Sequence, residues 1–260
     1  MMNPNDLAYS DEGTGLPVLF IHAFPLNRRM WAPQVSELHE QFRVITVDLR
    51  GHGESGPIAE TWTIDEFASD ICALLDRLSI RQIVLAGSSM GGYVALAFYR
   101  RFADRVKGLV LADTRAQSDS PEARAARFSM IQTVESRGAP AIADIMLPKL
   151  LCPASLRNKP GLAQDLRIMI ERTPVATIRA DLKAMADRPD STPLLRTIAC
   201  PTLILVGELD QATPPTEAQL MAEGIAHAQL RVIHDAGHLP NLEQSPAFNS
   251  VLAPFLKTLS

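Results

Sequence analysis

Cysteine is scarce and unpaired in this chain. Of 260 residues only Cys72, Cys152 and Cys200 are cysteines, and no two of them form a Cys-x-x-Cys pair. That argues against a zinc site and a disulfide framework, and each reads as a small buried apolar residue. An excess of charge of either sign is also missing. Lys+Arg number 25 against 29 Asp+Glu, a net charge of −4, and no basic block occurs, so neither nucleic acid nor anionic lipid is an expected partner. No apolar run reaches the length of a membrane span. The opening residues Met1, Met2, Asn3, Pro4, Asn5 and Asp6 have no basic or apolar region, so no signal peptide is expected and a cytoplasmic setting is the default. Repeats, heptads and low-complexity tracts are absent too, which leaves a scaffolding role without support. What is present is globular: 47% hydrophobic and 21% charged residues, enough chain for one α/β domain with an insertion or at most two domains.

Short apolar runs alternate with helical spacing over the first 113 residues. Val18–Ile21 is a continuous apolar run, the pattern of a strand buried on both faces, and Val44–Val47, Ile83–Ala86 and Val106–Ala112 read as the strands that follow it. A shorter strand is expected over Leu7–Ser10, before the turn signal Asp11-Glu12-Gly13-Thr14-Gly15. Helical spacing covers about Trp31–Gln41, the series Ile64, Phe67, Ile71, Leu74, Leu75 and Leu78, and Val94–Phe102. Strand–helix alternation implies a parallel sheet with helices on both faces. From 114 to 192 the rhythm breaks. Helical patterns at Glu122–Arg137, Ala139–Leu147, Leu162–Arg172 and Val175–Asp187 are punctuated by prolines, and no buried strand is visible. The expectation is a core of residues 1–113 and 193–260 with a helical cap, 114–192, inserted in it. The sheet resumes at Pro201–Val206, followed by a helix at Pro215–Glu223, a strand at Leu230–Ile233 and a closing helix over about Pro246–Leu259.

One stretch organises the rest. Val84-Leu85-Ala86 runs into Gly87-Ser88-Ser89-Met90-Gly91 and then into helical spacing, the strand–turn–helix setting of a nucleophile elbow. Gly-x-Ser-x-Gly alone arises by chance about 0.1 times in a chain of this length, so the motif needs partners. A serine hydroxyl is a weak nucleophile without a base, and the base needs an orienting carboxylate. Asp210 and His238 follow the next-to-last and last expected strands. The carboxyl ends of parallel strands share one edge, so Ser89, Asp210 and His238 can converge there despite their separation in the chain. Asp113, which also ends a strand, is the rival acid. A developing oxyanion needs donors; the backbone N–H groups of Met90 and Phe24 are the candidates. His22 and His52 read as structural. Ala23, Trp31, Met130, Met146 and Leu239 are candidates for the pocket wall, the methionines otherwise being simple packing. Arg28, Arg29, Arg115 and Arg172 could meet a substrate carboxylate, or be solvated surface. No cofactor and no metal is expected.

His22-Ala23-Phe24-Pro25, Asp48-Leu49-Arg50-Gly51-His52-Gly53-Glu54-Ser55, Gly87-Ser88-Ser89-Met90-Gly91-Gly92, Val206-Gly207-Glu208-Leu209-Asp210 and Ala236-Gly237-His238 together resemble the α/β-hydrolase superfamily over nearly the whole chain. The resemblance implies the α/β-hydrolase fold, a mostly parallel central sheet flanked by helices with an inserted helical cap. It also implies a Ser-Asp-His triad, and the chain order Ser89, Asp210, His238 is the order found in that fold. Serine at residue 89 separates the chain from relatives such as epoxide hydrolases and haloalkane dehalogenases, which carry Asp there. The chain is similar to small capped esterases and 3-oxoadipate enol-lactonases, a likeness that includes Leu109-Val110-Leu111-Ala112-Asp113-Thr114-Arg115. It departs at Ala23, where many relatives have Gly, and in a short N-terminus that leaves the usual first edge strand in question. The expected reaction is hydrolysis of a small carboxylic ester through an acyl-enzyme. A lactone, a carbon–carbon bond or perhydrolysis remain alternatives, as does a non-catalytic receptor on the same fold.

Overall fold

Apolar runs become strands and amphipathic stretches wrap them. The computed structural model describes residues 7–59 and 61–260; the segment read for a leader, residues 1–6, lies outside the described residues. Strands β1 (Tyr9–Glu12), β2 (Pro17–Ile21), β3 (Arg43–Val47), β4 (Ile83–Ser88), β5 (Val106–Ala112), β6 (Thr202–Gly207) and β7 (Gln229–Ile233) form one sheet in the order β1-β3-β2-β4-β5-β6-β7. β1 pairs antiparallel with β3, and every other neighbouring pair is parallel. Every residue of β4 and β6 is buried, as expected of central strands covered on both faces.

β1 runs through Asp11 and Glu12, whose composition reads as a turn. An edge strand pairs on one side only and tolerates charge on the other, and Asp11 is held there by Arg43 of β3 at 2.9 and 2.7 Å. Among the described residues no strand precedes β1. The helix expected over Trp31–Gln41 is shorter: a 3-10 turn over Arg28–Trp31 leads into α1 (Ala32–Leu38). α2 (Ile64–Arg77) opens on an N-cap, with Thr63 Oγ1 accepting from the Glu66 amide at 3.2 Å and donating to its carboxylate at 2.8 Å. α3 (Met90–Phe102) follows β4 directly.

Between β5 and β6 lie α4 (Pro121–Arg137), α5 (Ala139–Leu150), α6 (Pro153–Asn158), α7 (Pro160–Arg172), α8 (Val175–Ala186) and α9 (Thr192–Leu195). The prolines that read as breaks act here as starts. Each of α4, α5, α6, α7 and α9 has proline in its first two positions, where no intrahelical N–H is needed. That is why α6 and α9 appear where the sequence pattern predicts no helix, and α5 runs on through Pro148. α10 (Pro215–Gly224), α11 (Pro240–Glu243) and α12 (Ser245–Lys257) complete the fold. No helix of the described residues is long and apolar enough to cross a membrane.

Candidate active site

Parallel register brings the ends of β4, β5, β6 and β7 to one edge. The rungs continue past the strands: the Ser89 amide donates to Ala112 O, Asp113 to Leu205 O and Glu208 to Ile233 O, each at 2.9 Å. Ser89 stands at the first step beyond β4 with φ 53° and ψ −112°, a conformation that a residue with a Cβ adopts only when its surroundings enforce it. They do. A Cβ at Gly87 would lie 2.2 Å from Gly91 O, and one at Gly91 would lie 2.3 Å from Ile21 O, so strand, turn and helix close on each other where only glycine fits. Thr114 Oγ1 donates to Ser89 O at 2.8 Å and holds the turn from the next loop. Ser89 is half-buried. Met90 opens α3, so its amide has no intrahelical acceptor.

His238 and Asp210 meet. His238 Nδ1 donates to Asp210 Oδ2 at 2.8 Å, which leaves Nε2 as the basic ring nitrogen. Asp210 is held by three further bonds: the Ala212 and Thr213 amides donate to Oδ1 at 2.8 and 3.1 Å, and Thr213 Oγ1 donates to Oδ2 at 2.6 Å. Burial raises the Asp210 carboxyl, but the His238 ring and the Thr213 hydroxyl and amide outweigh it, and it lies below the usual carboxylate range. It is ionised at neutral pH and faces the imidazole as a charge.

Two supports were not foreseen. Glu243, fully buried, accepts from the Gly237 amide at 2.7 Å and from the Cys152 amide at 2.8 Å, tying the residue before His238 to the start of α6. Thr213, three residues after Asp210, could have been found as a local side-chain cap of an Asp turn. Asp113 lies behind the pair: its Oδ1 accepts from the Gly207 amide at 2.8 Å. Asp113, Asp210 and His238 are the one group among the described residues with metal-ligand spacing, within 4.8 Å of one another, although the Asp210 oxygens and His238 Nδ1 already bond to each other and to Thr213.

On the other side of Ser89 is the loop after β2. The Leu49 amide donates to His22 Nε2 at 3.0 Å, so the proton sits on Nδ1, which donates to Ala23 O at 3.0 Å. Burial, then the nearby His52, hold the His22 pKa well below the usual histidine value, against the pull of Ala23 O. Ala23 O also accepts from Leu26 N at 2.9 Å. Ala23 C=O and Phe24 N–H belong to one planar peptide and point opposite ways, so pinning the carbonyl aims the amide. His52 packs against His22 with centroids 4.6 Å apart and ring planes tilted by 60°, and contacts Asp181 Oδ2 of α8 through Nε2 at 2.7 Å, both His52 and Asp181 fully buried. Thr177 of α8 donates to Gly51 O at 3.0 Å. His52 thus lies between His22 and Asp181, and the second partner comes from the helical segment, which no local pattern signals.

The candidate wall residues separate. Ala23 and Leu239 are fully buried, while Met130 and Met146 are half-buried against the core. Trp31 is a correction: its ring packs between Phe20 at 4.9 Å and Phe248 at 6.3 Å with no exposed surface, a core contact. Of the arginines, Arg28 pairs with Asp48 and Glu54, and Arg115 donates to Ala212 O beside Glu217. Arg29 and Arg172 are exposed across a cleft of about 540 Å³ between α1 and α7.

The family model described as "Alpha/beta hydrolase family" matches residues 18–251. A thermophilic esterase from Thermogutta terrifontis, solved with malate bound, superposes with a TM-score of 0.95 at 46% identity over 97% of this chain and 93% of that one. An enol-lactonase from Burkholderia xenovorans superposes at 0.90 with 30% identity over 96% of both chains. 3-Oxoadipate enol-lactonase 1 of Acinetobacter baylyi is 31% identical over 93% of this chain and 89% of its own.

Proposed function

The chain belongs to the alpha/beta hydrolase family, and from that premise we propose that it is a serine hydrolase of small carboxylic esters, with Ser89 as nucleophile, His238 as base and Asp210 as its orienting acid. The 2.8 Å contact of His238 Nδ1 with an ionised Asp210, on the strand edge that carries the strained Ser89 turn, is the observation that carries this reading. His238 Nε2 takes the proton of the Ser89 hydroxyl as Oγ attacks the ester carbonyl. The Phe24 and Met90 amides hold the oxyanion. The proton passes to the departing alcohol, and His238 then activates the water that frees the acid and restores Ser89. The helical segment 114–192 acts as a cap over this edge, joined to the core by the buried His52–Asp181 contact.

A lactonase reading stands second, supported by the enol-lactonases among the relatives. In a lactone the leaving alcohol stays tethered to the acyl group, and the same residues suffice. A panel of p-nitrophenyl esters of graded acyl length beside a panel of lactones separates the two. A fluorophosphonate should label Ser89 covalently, and Ser89→Ala should lower kcat by about 10⁶-fold. Full esterase activity in Ser89→Ala would overturn the proposal.

A further inference from the structure

Asp113 is a buried carboxyl that the proposed reaction does not use. It directly follows β5 next to β6, is 1% exposed, has φ 46°, and donates its N–H to Leu205 O. One oxygen accepts from the Gly207 amide; the other, Oδ2, is buried and meets no protein donor. A carboxyl oxygen of Asp113 lies within 4.8 Å both of an Asp210 oxygen and of a His238 ring nitrogen. The titratable groups facing it are Asp210, His238 and, from α11, Glu243.

Two carboxyls this close and this buried do not both ionise. Which one keeps the charge is decided by donors. Asp210 receives four hydrogen bonds, from two amides, a hydroxyl and the imidazole; Asp113 receives one. The charge therefore settles on Asp210 and a proton on Asp113. Burial and the Asp210 charge push the Asp113 carboxyl well above its usual range, against the Gly207 amide. A buried O–H needs an acceptor, and the Asp210 carboxylate is beside it.

We infer that Asp113 is a second positioning carboxyl for His238, holding a proton against Asp210 in the native enzyme and able to serve as the imidazole's charged partner when Asp210 is neutralised. The inference rests on the triad reading above. In Asp210→Asn the opposing charge is gone, so Asp113 can release its proton and stand as the carboxylate nearest His238.

The test is the pH dependence of kcat for p-nitrophenyl ester hydrolysis in D210N, D113N and D113N/D210N, with thermal melts to establish folding. D210N should lose about 10⁴-fold at pH 7 and recover at least tenfold by pH 9, whereas D113N/D210N should stay low across the range. D113N alone should lose less than D210N does, because its carboxamide oxygen still accepts from the Gly207 amide and its N–H replaces the acid O–H. A low-field imidazole N–H proton resonance should persist in D210N at high pH and disappear in the double variant. The same pH profile in D210N and D113N/D210N would overturn the inference, and so would a loss in D113N as large as that in D210N. The triad reading fails separately, through an active Ser89→Ala.

Discussion

Replacing Gly207 by alanine tests how tightly the loops bearing Asp210 and His238 are packed. A Cβ there would lie 1.9 Å from Gly237 O, where ordinary contact begins at 3.4 Å. The neighbour is backbone, one residue before His238, and cannot swing aside as a flexible side chain would. Gly237 is itself fixed by Glu243 at 2.7 Å, so the β7 loop must part from β6 by about 1.5 Å, or the strand end must yield. A misplacement of about 1 Å at a catalytic group costs roughly 100-fold in rate. Overpacking of this kind costs about 2 kcal/mol, or roughly 4–8 °C in Tm for a chain of this size. Gly207→Ala should therefore lower kcat for a p-nitrophenyl ester by about 100-fold and lower Tm, with a smaller effect on KM. Gly161→Ala is the control. Gly161 lies in the first turn of α7 with nothing within 4 Å of its Cβ position, and alanine there should leave kcat unchanged and raise Tm slightly, by up to about 1 kcal/mol in stability. Native kcat and Tm in Gly207→Ala would refute the claim that these two loops hold the dyad by direct backbone contact.

Thr213→Val removes the hydroxyl that bonds Asp210 Oδ2 at 2.6 Å; a hydrogen bond to a charged group contributes about 1.5–3 kcal/mol, so kcat/KM should fall at least tenfold and Thr213→Ser should restore it. Glu243→Gln leaves one oxygen for the two amides of Gly237 and Cys152, and the amide left facing an NH₂ group should cost about 1–3 kcal/mol, read as a lower Tm together with a lower kcat. Asp119 accepts from Arg127 and, at 2.6 Å, from Arg188; burial raises its carboxyl, but the two guanidiniums outweigh burial and hold it below the usual range. Its stabilisation is therefore present above the unfolded carboxyl value of about 3.9 and lost as pH falls through the folded value. Asp119→Asn should lose about 3 kcal/mol at pH 7, with the gap from the native melt narrowing below about pH 4; a gap independent of pH would refute the assignment.

The sheet was legible because its central strands are uninterrupted apolar runs, and burial on both faces leaves no other composition for them. β1 was legible only in part. Its pattern is polar, and what makes it a strand is antiparallel pairing with β3, more than thirty residues on. The helical segment was legible as helical, but α6 and α9 were hidden by prolines that punctuate a sequence equally well at a helix start and at a helix stop. Ser89, Asp210 and His238 stood out because the ends of parallel strands fall on one edge, a rule needing no knowledge of contacts. Trp31 shows the limit of composition: an aromatic near a candidate site reads the same whether its ring faces substrate or, as here, Phe20 and Phe248.

The supports of the site share one property that explains why they stayed hidden. Thr213 apart, each side chain that braces it reaches a group on a different segment of the chain. Thr114 holds Ser89 O from the loop after β5, Asp113 holds the Gly207 amide after β6, and Glu243 of α11 holds the Cys152 amide at the start of α6. Asp181 reaches His52 from α8, and His52 packs against His22, which aims the Ala23–Phe24 peptide. Spacing in sequence carries no trace of such pairs, because a parallel sheet sets loops side by side that are separated in the chain by whole strand–helix units. The reacting side chains announce themselves by type and position at strand ends, whereas the groups that fix their geometry are common residues made special only by register. A change at Asp181 should therefore reach the Phe24 amide through two packed rings without touching the edge itself, lowering kcat while leaving KM for a short-chain ester near its native value; a rise in KM with kcat preserved would assign Asp181 to the pocket instead.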